Sequence, residues 1–249
     1  MMAGAPTVFS LFSGIGGIDL GLHQLGFKTV GFCEYASFPA AVLERRFPGV
    51  PLFTDVRALD GKDVGQVTCL AGGSPCQDVS VAGKRRGIQV GTRSGLWLEF
   101  ARLIEESQPD TVIMENVGGL LTLGAARVVM DIVRMGYDVS WFVLSAAECG
   151  APHLRRRFFA LGHRRDRSHG WVDQVHPNDE CFPFPPGPED VTGWQQALAH
   201  NPAWAPALVV EDFPEQMARE MRVHRIIAAG NAVVPQVAAE VGWRLALSA

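Results

Sequence analysis

From Thr7 to about Gly162, short apolar runs alternate with helix-length amphipathic stretches. "TVFSLFS" has the length and character of a buried strand, and "GGIDLGLHQLG" keeps a helical period until Gly26 stops it. "KTVGFCE" reads as the second strand and "SFPAAVLERRFP" as a helix ended by Pro48. A third short apolar run precedes Asp55, and "VTCLAGGSP" is a strand running into a loop. Then come a helix in "GLWLEFARLIEESQP", a strand in "TVIMENV" and a helix in "AARVVMDIVRMG". Two further strands follow, in "YDVSWFVLSA" and "RFFALGH". Strands alternating with helices predict a doubly wound, mostly parallel α/β sheet, whose ligand site lies at the carboxyl ends of the strands.

The pattern breaks after about Arg164. "SHGWVDQVHPNDECFPFPPGPEDVTGWQQ" is rich in proline and tryptophan and has no clear period, so it reads as an irregular insert. Regular structure returns towards the C-terminus, with a last helix beginning near Pro235. At 249 residues and 47% hydrophobic, the chain can bury one sizeable core with a small appendage. No apolar run is long enough to span a bilayer, and the first residues lack a charged n-region, so neither membrane span nor signal peptide is expected. Cysteines 33, 69, 76, 149 and 181 form no CxxC pair. That usage fits a reducing cytoplasm, with no disulfide framework and no metal site.

Net charge is −4, yet the basic residues are clustered. Six arginines face one aspartate between His153 and His169; Lys84, Arg85, Arg86 and Arg93 form a second group, and Arg219, Arg222 and Arg225 a third. Basic groups beside glycine-rich loops suit an anionic partner such as nucleic acid.

"LFSGIGGIDLGL" joins a strand to a helix through a glycine turn, where backbone can approach a nucleotide-like ligand closely. The GxGxxG fingerprint starts at Gly14 and Gly16, but its last position is Asp19, which disfavours a bound pyrophosphate and an NAD-dependent oxidoreductase. Glu34, closing the second strand, can accept from both ribose hydroxyls, and Asp55 from an adenine amine. A nucleoside without phosphates fits best, and S-adenosylmethionine is the common one. Cys76, in "GGSPCQDVSVAGKRRG", follows a proline and precedes a basic run, a setting for a reactive thiolate rather than a packing cysteine.

Five blocks in order carry a resemblance: Phe12 to Gly17, Pro75-Cys76-Gln77, Glu115-Asn116-Val117, Arg155-Arg156-Arg157 and Gly230 to Pro235. Together they resemble the DNA (cytosine-5) methyltransferases, in particular the compact bacterial and phage enzymes, across nearly the whole chain outside the insert. The resemblance implies a Rossmann-like S-adenosylmethionine-dependent methyltransferase fold. Residues 1–163 and 216–249 would form the catalytic domain, and 164–215 a short target-recognition region. It implies methyl transfer to carbon 5 of cytosine in duplex DNA, with the base flipped out of the stack and S-adenosylhomocysteine as product. Cys76 would attack carbon 6, Glu115 would engage N3 and the exocyclic amine, and Arg155 and Arg157, alternating on a strand, would contact the flipped base and its phosphates. Phe12, Gly14, Ile15, Gly16, Gly17, Glu34, Tyr35, Asp55, Val56, Pro75, Leu96, Asn231, Ala232 and Val233 would line the cofactor. Gln77, Ser80, Lys84, Arg85, Arg86, Asn116, Arg164, Arg165 and Arg167 would contact DNA. His153 and Leu154 stand where the family has a glutamine and a basic residue, and Val79 replaces a usual aromatic. The remaining expectations are a cytoplasmic monomer with a possible cognate restriction endonuclease. A tRNA cytosine-5 methyltransferase and a non-catalytic DNA-binding relative are the alternatives.

Overall fold

The computed structural model describes residues 4–75, 96–149, 151, 153–167, 171–172 and 231–248. Seven strands form one sheet: β1 (Thr7–Leu11), β2 (Lys28–Cys33), β3 (Leu52–Phe53), β4 (Cys69–Gly72), β5 (Thr111–Val117), β6 (Tyr137–Leu144) and β7 (Arg157–Arg164). Their order across the sheet is β3-β2-β1-β4-β5-β7-β6. The pairs from β3 to β5 are parallel, whereas β7 runs antiparallel to both β5 and β6. The order reverses between β1 and β4, the switch point at which such sheets bind ligands.

Helices cover both faces. On one, α1 (Gly17–His23) and the C-terminal helix, here α7 (Pro235–Leu247), bury Ile18, Leu22, Val237, Val241 and Leu245 over Val8, Ile113 and Leu161. On the other, α4 (Leu96–Ser107) and α6 (Ala125–Arg134) bury Trp97, Phe100, Leu103, Val128 and Ile132 against Leu70, Val112, Met114 and Phe158. The apolar period of α4 and α6 is the reason they lie flat on the sheet, since each buries a single stripe. The helix α2 (Ser37–Arg46) adds a smaller cluster, with Leu43 and then Phe47 against Phe32. Two short helices, α3 (Gly61–Val64) and α5 (Leu120–Leu123), and a 3₁₀ turn (Ala146–Cys149) complete the described elements.

Asp19 differs from a phosphate-loop residue in where it points. It is fully buried and accepts the Thr29 hydroxyl at 3.0 Å, and burial pushes its carboxyl up to about 6. Trp171, within the expected insert, is 6% exposed and meets Phe27 edge to face at 5.6 Å. Arg164 closes β7, and Trp171 and Val172 pack on the same core as α1 and α7. The rest of the expected target-recognition region lies outside the described residues.

The contact between α1 and α7 leaves no room for a side chain at Gly21, where a β-carbon would sit 2.3 Å from the Pro235 carbonyl oxygen and 2.6 Å from the Ala238 β-carbon. Both neighbours are backbone or its first carbon and cannot swing away. Gly21→Ala is therefore expected to cost about 1–3 kcal/mol of stability by prising the two helices apart. Denaturant unfolding measures it, and an unchanged midpoint would contradict this packing.

Candidate active site

The carboxyl edge of the sheet collects most of the expected site. β1 is followed by Phe12, a non-glycine residue with φ of 52°, whose ring stacks on Phe100 of α4. Such left-handed backbone is costly for a phenylalanine and clusters where a chain must turn for a ligand. The Ser13 N–H donates to the Cys33 carbonyl at 3.2 Å, which folds the turn over the end of β2. There Glu34 is half-buried, and its two oxygens accept the N–H groups of Gly14 and Ala36, each at 2.8 Å. Burial raises the Glu34 carboxyl while those N–H groups pull it back. Tyr35 beside it is 83% exposed. Asp55 is half-buried and accepts the Arg57 N–H at 3.0 Å; Val56 is buried, and Leu96 opens α4 against the same core.

The C-terminal block joins this edge. A β-carbon on Gly17 would lie 2.1 Å from the Val233 carbonyl oxygen, so the first turn of α1 abuts that backbone directly. Ala232 and Val233 are buried and Asn231 is exposed. Ile15, Gly16 and Gly17 are buried in the same turn, with Gly16 in left-handed backbone at φ 81°.

Glu115 is the buried acid of the site, 8% exposed near the end of β5. Its Oε1 pairs with Arg157 Nε at 2.8 Å, and a β-carbon on Gly73 would lie 2.5 Å from its Oε2. A side chain at Gly73 would therefore displace the Glu115 carboxyl where β4 runs out towards Pro75. Burial raises the Glu115 carboxyl to about 7, against the attraction of Arg157 and then Arg155. The register explains the pair: Val117 lies opposite Arg157, and β7 runs back along β5, so its first residue shares an edge with the last of β5.

Five expected residues take three placements that the sequence reading did not foresee. Arg155 precedes β7, has φ of 26° and donates to the Ala232 carbonyl. It therefore does not alternate with Arg157 on a strand. Asn116 is buried and donates to the Ser74 carbonyl at 2.9 Å and to its hydroxyl at 3.3 Å, which ties down the loop two residues before Cys76. An amide used in this way tethers the loop, a role that its neighbours in the motif hid. The third departure is a group. Arg164, Arg165 and Arg167 lie at the far end of β7, about 23 Å from Arg157 at the usual rise per residue. Arg164 pairs with Asp166 and donates to the Gln108 carbonyl, Arg165 pairs with Asp138 at 2.7 Å, and Arg167 faces Asp110 at 3.4 Å. These pairs brace the opposite edge of the sheet. Cys76, Gln77, Ser80, Lys84, Arg85 and Arg86 lie outside the described residues.

A family model for C-5 cytosine-specific DNA methylases matches residues 7–204. The chain belongs to that family. Methylase relatives bear this out: the chain is 38% identical over 162 residues to the Type II methyltransferase M2.BsuMI of Bacillus subtilis, covering 62% of this chain and 41% of that protein. It is 34% identical to M.NgoFVII of Neisseria gonorrhoeae, over 69% of this chain and 46% of the relative. With M.AquIA of Picosynechococcus the identity is 32%, over 68% of this chain and 76% of the relative. The chain thus spans less than half the length of the first two relatives. Among solved structures, a DNA modification methyltransferase encoded within an E. coli prophage matches with a TM-score of 0.55 and 26% identity, over 66% of this chain and 49% of that one. The Dnmt2 methyltransferase of S. pombe shares the fold, with a TM-score of 0.55 at 20% identity over 66% of this chain and 52% of that one. The fold is the Rossmann-like methyltransferase fold that the sequence motifs imply. Among the described residues, no helix is long and apolar enough to cross a membrane.

The raised Glu115 carboxyl has a measurable consequence. In the folded chain it keeps its proton from its ordinary range near 4.5 up to about 7, so its contribution to stability is present in acid and is lost as pH rises through 7. Carbon-13 NMR of the glutamate carboxyls is expected to show one titrating near 7, displaced upward in Arg157→Met. A Glu115 signal titrating between 4 and 5 would contradict the site as described.

Proposed function

We propose that the chain transfers a methyl group from S-adenosylmethionine to carbon 5 of cytosine in duplex DNA, with the target base flipped into the edge between β4 and β5. The observation that carries this reading is the buried Glu115 carboxyl, paired with Arg157 and lying against the Gly73 backbone that leads to Cys76. Carbon 5 of cytosine is a weak nucleophile, so a pyrimidine methylase needs a thiolate to activate the ring and an acid at N3 to take up the developing charge. A carboxyl that holds its proton near neutral pH is suited to that second task.

The glycine turn fits a nucleoside better than a dinucleotide. The Gly14 N–H is spent on Glu34, the Gly16 N–H on the Ser13 carbonyl, and the start of α1 faces the Val233 carbonyl. Two negative ends therefore occupy the place where a pyrophosphate would sit, which disfavours NAD. Each Glu34 oxygen takes one backbone N–H and keeps a lone pair for a ribose hydroxyl. The exposed Tyr35 ring offers a face to a base, and among the described residues, its chain neighbours aside, no heavy atom lies within 4 Å of a β-carbon built on Gly14. When bound, S-adenosylmethionine supplies a methyl whose bond to sulfur breaks with both electrons left on sulfur.

The chain's own residues perform the rest. The Cys76 thiolate forms a bond to carbon 6, and the electrons of the 5,6 double bond move towards carbon 5. Glu115 donates its proton to N3 as that charge develops, with Arg157 holding the carboxyl in place. After methylation, water takes the proton from carbon 5, the 5,6 double bond re-forms as Cys76 leaves as thiolate, and N3 returns its proton to the Glu115 carboxylate. Residues 173–215 are the place for target recognition in this reading, between the β7 body and the C-terminal block.

Tritiated methyl transfer to duplex DNA and to tRNA, side by side, tests the reading. Incorporation into duplex DNA is expected, abolished in Cys76→Ser and lowered about 10²–10⁴-fold in Glu115→Gln. Incorporation into tRNA alone would move the activity to RNA. Glu34→Ala is expected to weaken cofactor binding by about 1.5–3 kcal/mol, since a charged acceptor is lost. Calorimetry with S-adenosylhomocysteine measures it, and unchanged affinity would place the ribose elsewhere.

A further inference from the structure

Three consecutive arginines precede or open β7, and the structure gives them different directions. Arg157 points to Glu115, and its Nη1 also donates to the Arg156 carbonyl at 3.1 Å, which fixes the peptide between them. Arg155 is half-buried and reaches the Ala232 carbonyl, and burial followed by the nearby Arg157 charge lowers its guanidinium to about 10, still charged at neutral pH. Arg156, between them, is exposed, as are His153 and Leu154 just before it. Glu148 is the carboxylate that feels Arg156. Its Oε2 is already engaged by the Ser145 N–H at 2.7 Å and the Ser145 hydroxyl at 2.6 Å. Arg156 makes no ion pair with a described residue, whereas Arg157 and the arginines at the far end of β7 each have one.

We propose that Arg156 is the arginine of this turn that grips a DNA phosphate, beside the mouth into which the cytosine is flipped, while Arg155 and Arg157 serve the interior. The inference rests on the DNA reading above. A guanidinium gains most from a phosphate when its charge is not already cancelled and its approach to solvent is open. Arg157 is spent on Glu115, Arg155 on a carbonyl of the C-terminal block, and Arg164, Arg165 and Arg167 on carboxylates at the other edge. Arg156 meets both conditions, on a backbone held from beneath by Arg157. Leu154, 62% exposed next to it, gives the same rim an apolar contact for the sugar of the backbone.

Equilibrium binding of the full chain to a labelled cytosine-containing duplex, measured over a range of salt concentrations, tests the assignment. Each phosphate contact adds about 0.9 to the slope of log affinity against log salt. Arg156→Gln is expected to reduce the magnitude of that slope by about one, Arg156→Lys to restore it, and Arg165→Gln to leave it as in the wild type. A wild-type slope in Arg156→Gln, or an equal loss in Arg165→Gln, would overturn the assignment while leaving the DNA reading intact. A wild-type chain that binds no duplex at all would overturn the DNA reading and this inference with it.

Discussion

A carboxylate taken out of water at a strand end must either keep its proton or find a cation, and Glu115 sits between the two. Its pairing with Arg157 depends on the antiparallel insertion of β7 beside β5. Were β7 parallel, its first residue would lie at the opposite edge, about 20 Å away. The reversal is therefore what lets one carboxyl meet a guanidinium, the Gly73 backbone and the start of the Cys76 loop together. Asn116, the next residue, points to the other face of β5 and ties Ser74 to the same strand. Two adjacent side chains thus hold the loop from both sides of the sheet.

The second constraint is the docking of the C-terminal block on α1. Gly17 and Gly21 let the backbone of Val233 and Pro235 approach the helix without intervening side chains. That approach places Ala232 where Arg155 reaches it, so the wall beside the glycine turn is linked to the arginines around Glu115. His163, at the far end of β7, meets Ser248 at 3.0 Å and pins the end of the same block. One strand thereby holds the returning chain at both of its ends.

Much of this was legible in the residues. Alternating apolar runs marked β1, β2, β4, β5, β6 and β7, and glycine and proline marked where α1 and α2 stop, because those signals are local. The direction of β7 was not legible, since "RFFALGH" has the same apolar run whichever way it lies. The carboxylate partners of Arg164, Arg165 and Arg167 were not legible for a similar reason. A basic run looks like a phosphate grip until the carboxylates facing it, Asp110 and Asp138, are brought in from other strands and turns. Trp171 sat in an aperiodic stretch, and its burial against Phe27 is a tertiary contact with no periodic trace. Arg155 and Arg157 shared a motif and a spacing, but only the left-handed backbone at Arg155 reveals that they serve different partners.

The central claim is that the Gly73–Pro75 loop delivers Cys76 to a cytosine held by Glu115, and a covalent trap tests it most directly. A duplex carrying 5-fluorocytosine cannot lose a proton from carbon 5 after methylation, so the thiol bond to carbon 6 persists. Incubation with S-adenosylmethionine followed by peptide mass spectrometry is predicted to find the methylated fluoropyrimidine attached to the peptide that contains Cys76. Recovery of the modified base on another cysteine, or an equal yield of covalent complex from Cys76→Ser, would contradict the account.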